Sequence, residues 1–215
     1  MKIRPGLFAG VVGAASLVCS AANAAVLYDS LNAPSSSFDP IGFLGPLADS
    51  FSTSASGFKL SSLTMKLDAT TPTDGAGFNI ELLSDNSTSP GSLLTTIANV
   101  ADSSLTNSLS NYTFNLASPF LLSANTRYWI EAIGVPGVNG GPTSANWSVT
   151  FDTSGVGVAN EFYLTNGSVI PNSGGPYQML IGSAASVPEP LTISLFGAGL
   201  AGAIAMRRRK KAAGA

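Results

Sequence analysis

Chemistry in this chain falls to carboxylates, amides and aromatic rings. The 215 residues contain no histidine, and the one cysteine is Cys19. Imidazole-based triads, Cys-His dyads and histidine- or thiolate-bound zinc are therefore excluded. Between residues 25 and 186 the acids are Glu81, Glu131 and Glu161 with Asp29, Asp39, Asp49, Asp68, Asp74, Asp85, Asp102 and Asp152. A carboxylate glycosidase needs two such groups about 5 Å apart for retention, or up to about 9.5 Å for inversion. Each glutamate, however, falls on the polar phase of its segment, where side chains face solvent. No catalytic residue is assigned, and the chain is expected not to be an enzyme. Oxygen donors leave calcium or magnesium as the conceivable cations, held by Asp68 with Asp74 or by Asp85 with Asn86. Neither pair has the spacing of an EF-hand loop, and no metal or other cofactor is expected.

Sugar recognition would need an exposed ring for stacking beside hydrogen-bonding side chains. The rings available are Trp129, Trp147, Tyr163 and Tyr177. Trp147 and Tyr128 share the apolar phase of their segments, which sends them to the core. Trp129 takes the opposite phase with Arg127 and Glu131, so it is expected on the outer surface. It is the residue through which a carbohydrate-binding module, the alternative function, would act.

The elements that would position these residues are strands. Phe78, Ile80 and Leu82 alternate with polar residues, as do Tyr112, Phe114 and Leu116, and Trp147, Val149 and Phe151. Further strands are expected over 48–53, 58–68, 127–134, 161–165 and 177–181. In 58–68 the apolar phase switches from Phe58 and Leu60 to Leu63, Met65 and Leu67, so an extra residue at Ser61-Ser62, a bulge, is expected. Leu93, Leu94, Ile97 and Val100 also fit helical spacing, but the segment is read as a strand. Asp74-Gly75, Pro90-Gly91, Pro136-Gly137, Asn166-Gly167 and Gly174-Gly175-Pro176 supply turns. The fold class is all-β, a single antiparallel β-sandwich or jelly roll over residues 25–186.

Charge is distributed unevenly. Residues 25–186 hold three basic residues against eleven acidic ones, a net −8, while the whole chain carries −2. An acidic middle excludes nucleic acid as a partner, since phosphate neutralisation needs a basic face. The remaining cations border two apolar runs. Lys2 and Arg4 precede Leu7–Val18, and Ala22-Asn23-Ala24 places small residues where signal peptidase cuts, before Ala25. About a dozen apolar residues are too few to span a core about 30 Å thick, so 1–24 is read as a signal peptide. Cys19 departs with it.

At the other end, Val187-Pro188-Glu189-Pro190 is followed by sixteen uncharged, mostly apolar residues, 191–206. As a helix these reach about 24 Å. Arg207, Arg208, Arg209, Lys210 and Lys211 then fix the terminus in the cytoplasm. The prolines hold Glu189 extended at the outer membrane surface. This arrangement over 187–211, within a terminal segment 187–215, resembles the PEP-CTERM sorting signal of Gram-negative bacteria. The resemblance implies a membrane-embedded exosortase-like partner that recognises the motif and removes the helix and basic tail. It implies an exported protein, inner-membrane anchored before processing and then at the cell surface or in the extracellular matrix of a cell that makes exopolysaccharide.

The middle region resembles the choice-of-anchor R type of bacterial surface domain. Ala48-Asp49-Ser50-Phe51, Leu60–Leu67, Pro90–Leu94, Leu122 and Thr126-Arg127-Tyr128-Trp129 carry the likeness, which implies a β-rich extracellular domain without an assigned activity.

Overall fold

In the computed structural model the described residues are 25–71, 75–87, 89–138, 140–157, 162–165, 169–171 and 174–183. They belong to a unit spanning Ala24–Ala185. The whole expected signal peptide, 1–24, and the whole expected sorting segment, 187–215, lie outside them. Among the described residues no helix is long and apolar enough to cross a membrane.

Alternation of apolar and polar side chains produces twelve strands among the described residues: β1 (Val26–Asp29), β2 (Ser37–Pro40), β3 (Leu47–Ser52), β4 (Phe58–Ala69), β5 (Gly77–Asp85), β6 (Pro90–Ala101), β7 (Ser110–Leu122), β8 (Arg127–Val135), β9 (Ala145–Val149), β10 (Phe162–Thr165), β11 (Val169–Pro171) and β12 (Met179–Gly182). One four-residue helix, α1 (Ile41–Leu44), links β2 to β3. The strands form two antiparallel sheets. In the first, the order is β1-β12-β4-β9-β2, with β7 also on β4. Leu63 pairs with both Ile181 and Phe114, and Leu67 with both Trp147 and Ser110. A strand has two edges, so β7 occupies one edge of β4 while β12 and β9 share the other. The second sheet runs β11-β10-β3-β8-β5-β6.

Both sheets feed one core. Leu60, Leu63, Met65, Leu67, Trp147 and Ile181 from the first pack with Phe51, Phe78, Ile80, Leu82 and Ile130 from the second. Each such side chain contributes about 1.5–3 kcal/mol on burial. The phase switch in β4 is a register shift between Leu60 and Ser62 in its pairing with β7, where the bulge was expected. Residues 93–101 are strand throughout, in β6. Pro90-Gly91 opens that strand rather than turning the chain.

The end of β9 and the place of Tyr177 also differ from the sequence expectation. Strand β9 stops at Val149, and Phe151, on its apolar phase, is 72% exposed. Past Val149 the Thr150 amide donates to the Pro176 carbonyl, and Gly175 lies against the same segment with φ +108°. A Cβ on Gly175 would stand 2.1 Å from the Thr150 oxygen, so this turn requires glycine. Tyr177 forms an isolated bridge to Val149, outside β12. Its ring stacks on Trp147 with centroids 4.7 Å apart.

Candidate functional site

The glutamates expected on solvated faces are brought together by sheet register. Glu81 on β5 is the cross-strand partner of Glu131 on β8. Side chains directly opposite in an antiparallel pair stand about 5 Å apart at Cβ. Both are half-buried on the outer face of the second sheet, since Ile80 and Ile130 point into the core. Burial first, and the Glu81 carboxylate second, push the Glu131 carboxyl up to about 7. Near neutral pH the Glu131 carboxyl is therefore poised between its protonated and ionised forms. Glu161, the third glutamate, lies outside the described residues.

Trp129 keeps the predicted phase but not the predicted exposure. It lies on the outer face with Ala48 and Leu83, in a small apolar cluster separate from the main core, and is 0% exposed. Its Nε1–H donates to Asp85 Oδ1 at 2.8 Å. A ring enclosed in this way has no free face for a sugar, which corrects its assignment as a surface stacking residue. The alternation of Arg127, Trp129 and Glu131 reports which face they share. It does not report how much of that face is covered.

The acids weighed as cation donors have other partners. Asp68 accepts from Asn146 Nδ2 at 2.7 Å, and Asp85 receives the Trp129 indole. Asp74 is outside the described residues, and the Asn86 amide and carbonyl bond to Ser89. Among the described residues no three metal-ligating side chains converge.

Sequence reasoning missed a groove. Pro34, Ser35, Ser36, Thr150, Phe151 and Asp152 line a cavity of about 440 Å³. Asp152 also borders an adjoining cavity of about 260 Å³ with Asp29, Asn32 and Ser154. The lining residue Ser35 is tied to Gln178, which is buried and receives hydrogen bonds from Ser35 and Ser148 Oγ, both at 2.7 Å. Its own Nε2 donates to the Ala33 carbonyl at 2.7 Å. Hydrogen bonding from the Ser154 side chain first, and from its backbone amide second, holds the Asp152 carboxyl below its usual range. Glycine-flanked loop segments such as 150–157 carry no periodicity, so no sequence signal pointed here.

Ala25, the first residue after the expected cut, is exposed, and its carbonyl accepts from the Ser183 amide at 2.8 Å. Ala22 and Ala24, the motif Val187–Pro190 and the basic residues Arg207–Lys211 are outside the described residues. No curated protein and no solved structure matches the chain. Residues 186–210 match the family model described as the PEP-CTERM protein-sorting motif, a span enclosing Val187-Pro188-Glu189-Pro190, the apolar run and Arg207–Lys210. The chain thus carries the sorting signal of an exosortase substrate.

Proposed function

We propose that this is an exported, non-enzymatic β-sandwich protein of the cell surface or extracellular matrix. Signal peptidase removes 1–24, the helix 191–206 holds the chain in the inner membrane with its basic tail in the cytoplasm, and an exosortase-like enzyme then releases it outward. The match over residues 186–210 carries this reading. The segments behind the likeness to choice-of-anchor R domains fit it as well: Ser50-Phe51 and Tyr128-Trp129, distant in sequence, are cross-strand partners in β3 and β8. The Glu81–Glu131 pair is read as electrostatic rather than catalytic, because the neighbouring Trp129 ring that would stack a sugar substrate is buried and committed to Asp85.

The test is the intact mass of the exported protein. A species starting at Ala25 and lacking everything beyond the Pro188–Pro190 region is expected. Retention of Arg207–Lys211 in the extracellular form would overturn the sorting assignment.

A second reading, saccharide binding, gains from Phe151 and loses Trp129. An exposed ring beside Ser35, Ser36 and Asp152 in a groove of about 440 Å³ offers stacking and hydrogen bonding together. Binding to exopolysaccharide that Phe151→Ala abolishes and Trp129→Phe retains would support it. Retention equal in both variants would reject the groove.

A further inference from the structure

Among the described residues the two sheets end in five strands, and these are protected unequally. Strands β1 and β2 have four residues each, and β2 includes Asp39 and Pro40; β11 has three and includes Pro171. Brevity, charge and proline are the devices that stop sheet edges from pairing with other chains. Strands β6 and β7 have twelve and thirteen residues. From residue 86 to 126 the one charged residue is Asp102, which is 0% exposed. Two long edges thus present no exposed charge, in a domain whose residues 25–186 sum to −8.

We propose that β7 is the edge through which two copies of this chain associate, antiparallel and two-fold symmetric. Edge β6 is the poorer choice, because its pairing with β5 shifts register three times, and such bulges twist an edge away from a partner. Edge β7 pairs with β4 without a break from Leu67–Ser110 to Ser62–Asn115. Along that stretch every second residue of an antiparallel strand turns its N–H and C=O away from its existing neighbour. Asn111, Thr113 and Asn115 are exposed on the outer face. Amide and hydroxyl side chains both donate and accept, so this row is complementary to itself, as a two-fold interface requires. A charged or strongly apolar partner would gain nothing from it. Lys59 and Lys66 do not oppose the contact. They sit on β4, so the two copies' lysines are three strand spacings apart, about 14 Å. That exceeds the screening length of about 8 Å at physiological ionic strength. Elsewhere the acidic surface repels a second copy, and β7 is the approach that avoids this.

The exported protein, purified from its producing cell, tests the proposal by sedimentation across a concentration series. A monomer–dimer equilibrium is expected. The double variant Thr113→Lys/Asn115→Lys should raise its dissociation constant at least about tenfold, about 1.4 kcal/mol, by opposing like charges across the new pair. Ser37→Lys on edge β2 should leave it unchanged. In the wild-type protein, hydrogen exchange at amides 110–116 should slow as concentration rises. A monomer up to about 100 µM, or a dimer indifferent to the lysines, would overturn the proposal. If the double variant fails to fold, wild-type exchange decides alone, and concentration-independent protection of 110–116 is then the refuting result. The processing of the two termini is untouched by either outcome.

Discussion

Replacing Glu131 by glutamine should make the domain more stable at pH 8 and leave it unchanged at pH 4. The Glu131 carboxyl rises from its ordinary 4.5 to about 7 in the folded state, through burial first and the Glu81 carboxylate second. Between those values the native state holds a proton that the unfolded chain has released. Stability must then fall as pH rises through the window from about 4.5 to about 7, and level off above it. Converted in full at 1.36 kcal/mol per pH unit, the difference is about 3.4 kcal/mol. The side chain is partly open to water, and screening reduces this to about 1.7 kcal/mol. Glutamine keeps the shape and never ionises, so Glu131→Gln should be about 1.7 kcal/mol more stable at pH 8, a rise of about 3–7 °C in Tm. Glu81→Gln removes the smaller cause and leaves the burial, so it should recover less than half as much. Urea unfolding of residues 25–186 from pH 4 to pH 8 measures all three proteins. Parallel pH profiles for wild type and Glu131→Gln would show that the carboxyl titrates normally and refute the reasoning.

Asp102→Ala should cost about 3 kcal/mol, because it strips a buried acceptor from Thr143 Oγ1 at 2.5 Å and from the Ser144 amide at 2.7 Å; chemical denaturation reads it, and a loss under 1 kcal/mol would contradict the contact. Trp129→Ala should cost about 3–5 kcal/mol, while Trp129→Phe, which keeps a ring and drops the bond to Asp85, should cost about 1–2 kcal/mol. A fluorescence blue shift for Trp129 in a Trp147→Phe background would independently report its burial. Phe151→Ala should change stability by less than about 0.5 kcal/mol, since the ring is exposed and contributes to no core.

Periodicity made the long central strands legible because a half-buried strand must alternate. The β4 bulge was readable for the same reason, since an extra residue inverts every side chain after it. Strands β1, β2 and β11 were not, being three or four residues long, too short for alternation to stand out. The Glu81–Glu131 meeting was illegible because it depends on which strands are neighbours and in what register. Trp129 and Phe151 failed in opposite directions. Phase sets the face of a side chain, but coverage of that face and the end of a strand are decided by distant segments: Asp85 receives the indole, and the Pro176 carbonyl takes the Thr150 amide where β9 stops.

The same acids that composition offered for chemistry are spent inside the fold. Asp49 accepts from Tyr28 Oη at 3.0 Å, and burial first, then the Asp49 charge and this bond, drive the phenol well above its ordinary value. Asp102 ties residues 143 and 144 to a turn 41 positions earlier. Gln178 spans 145 positions to the Ala33 carbonyl. An exported chain whose one cysteine precedes the expected cut has no disulfide to close such loops. Each bond to a buried carboxylate is worth about 1.5–3 kcal/mol, comparable to the 2–4 kcal/mol of a disulfide. The two differ in kind, however. A disulfide acts largely on the unfolded chain and persists through denaturation, whereas these contacts exist only in the native state and vanish together with it. Stability built this way is cooperative, insensitive to reductant and dependent on every partner being in place, which is why losing one buried acceptor here should cost as much as cutting a cross-link elsewhere.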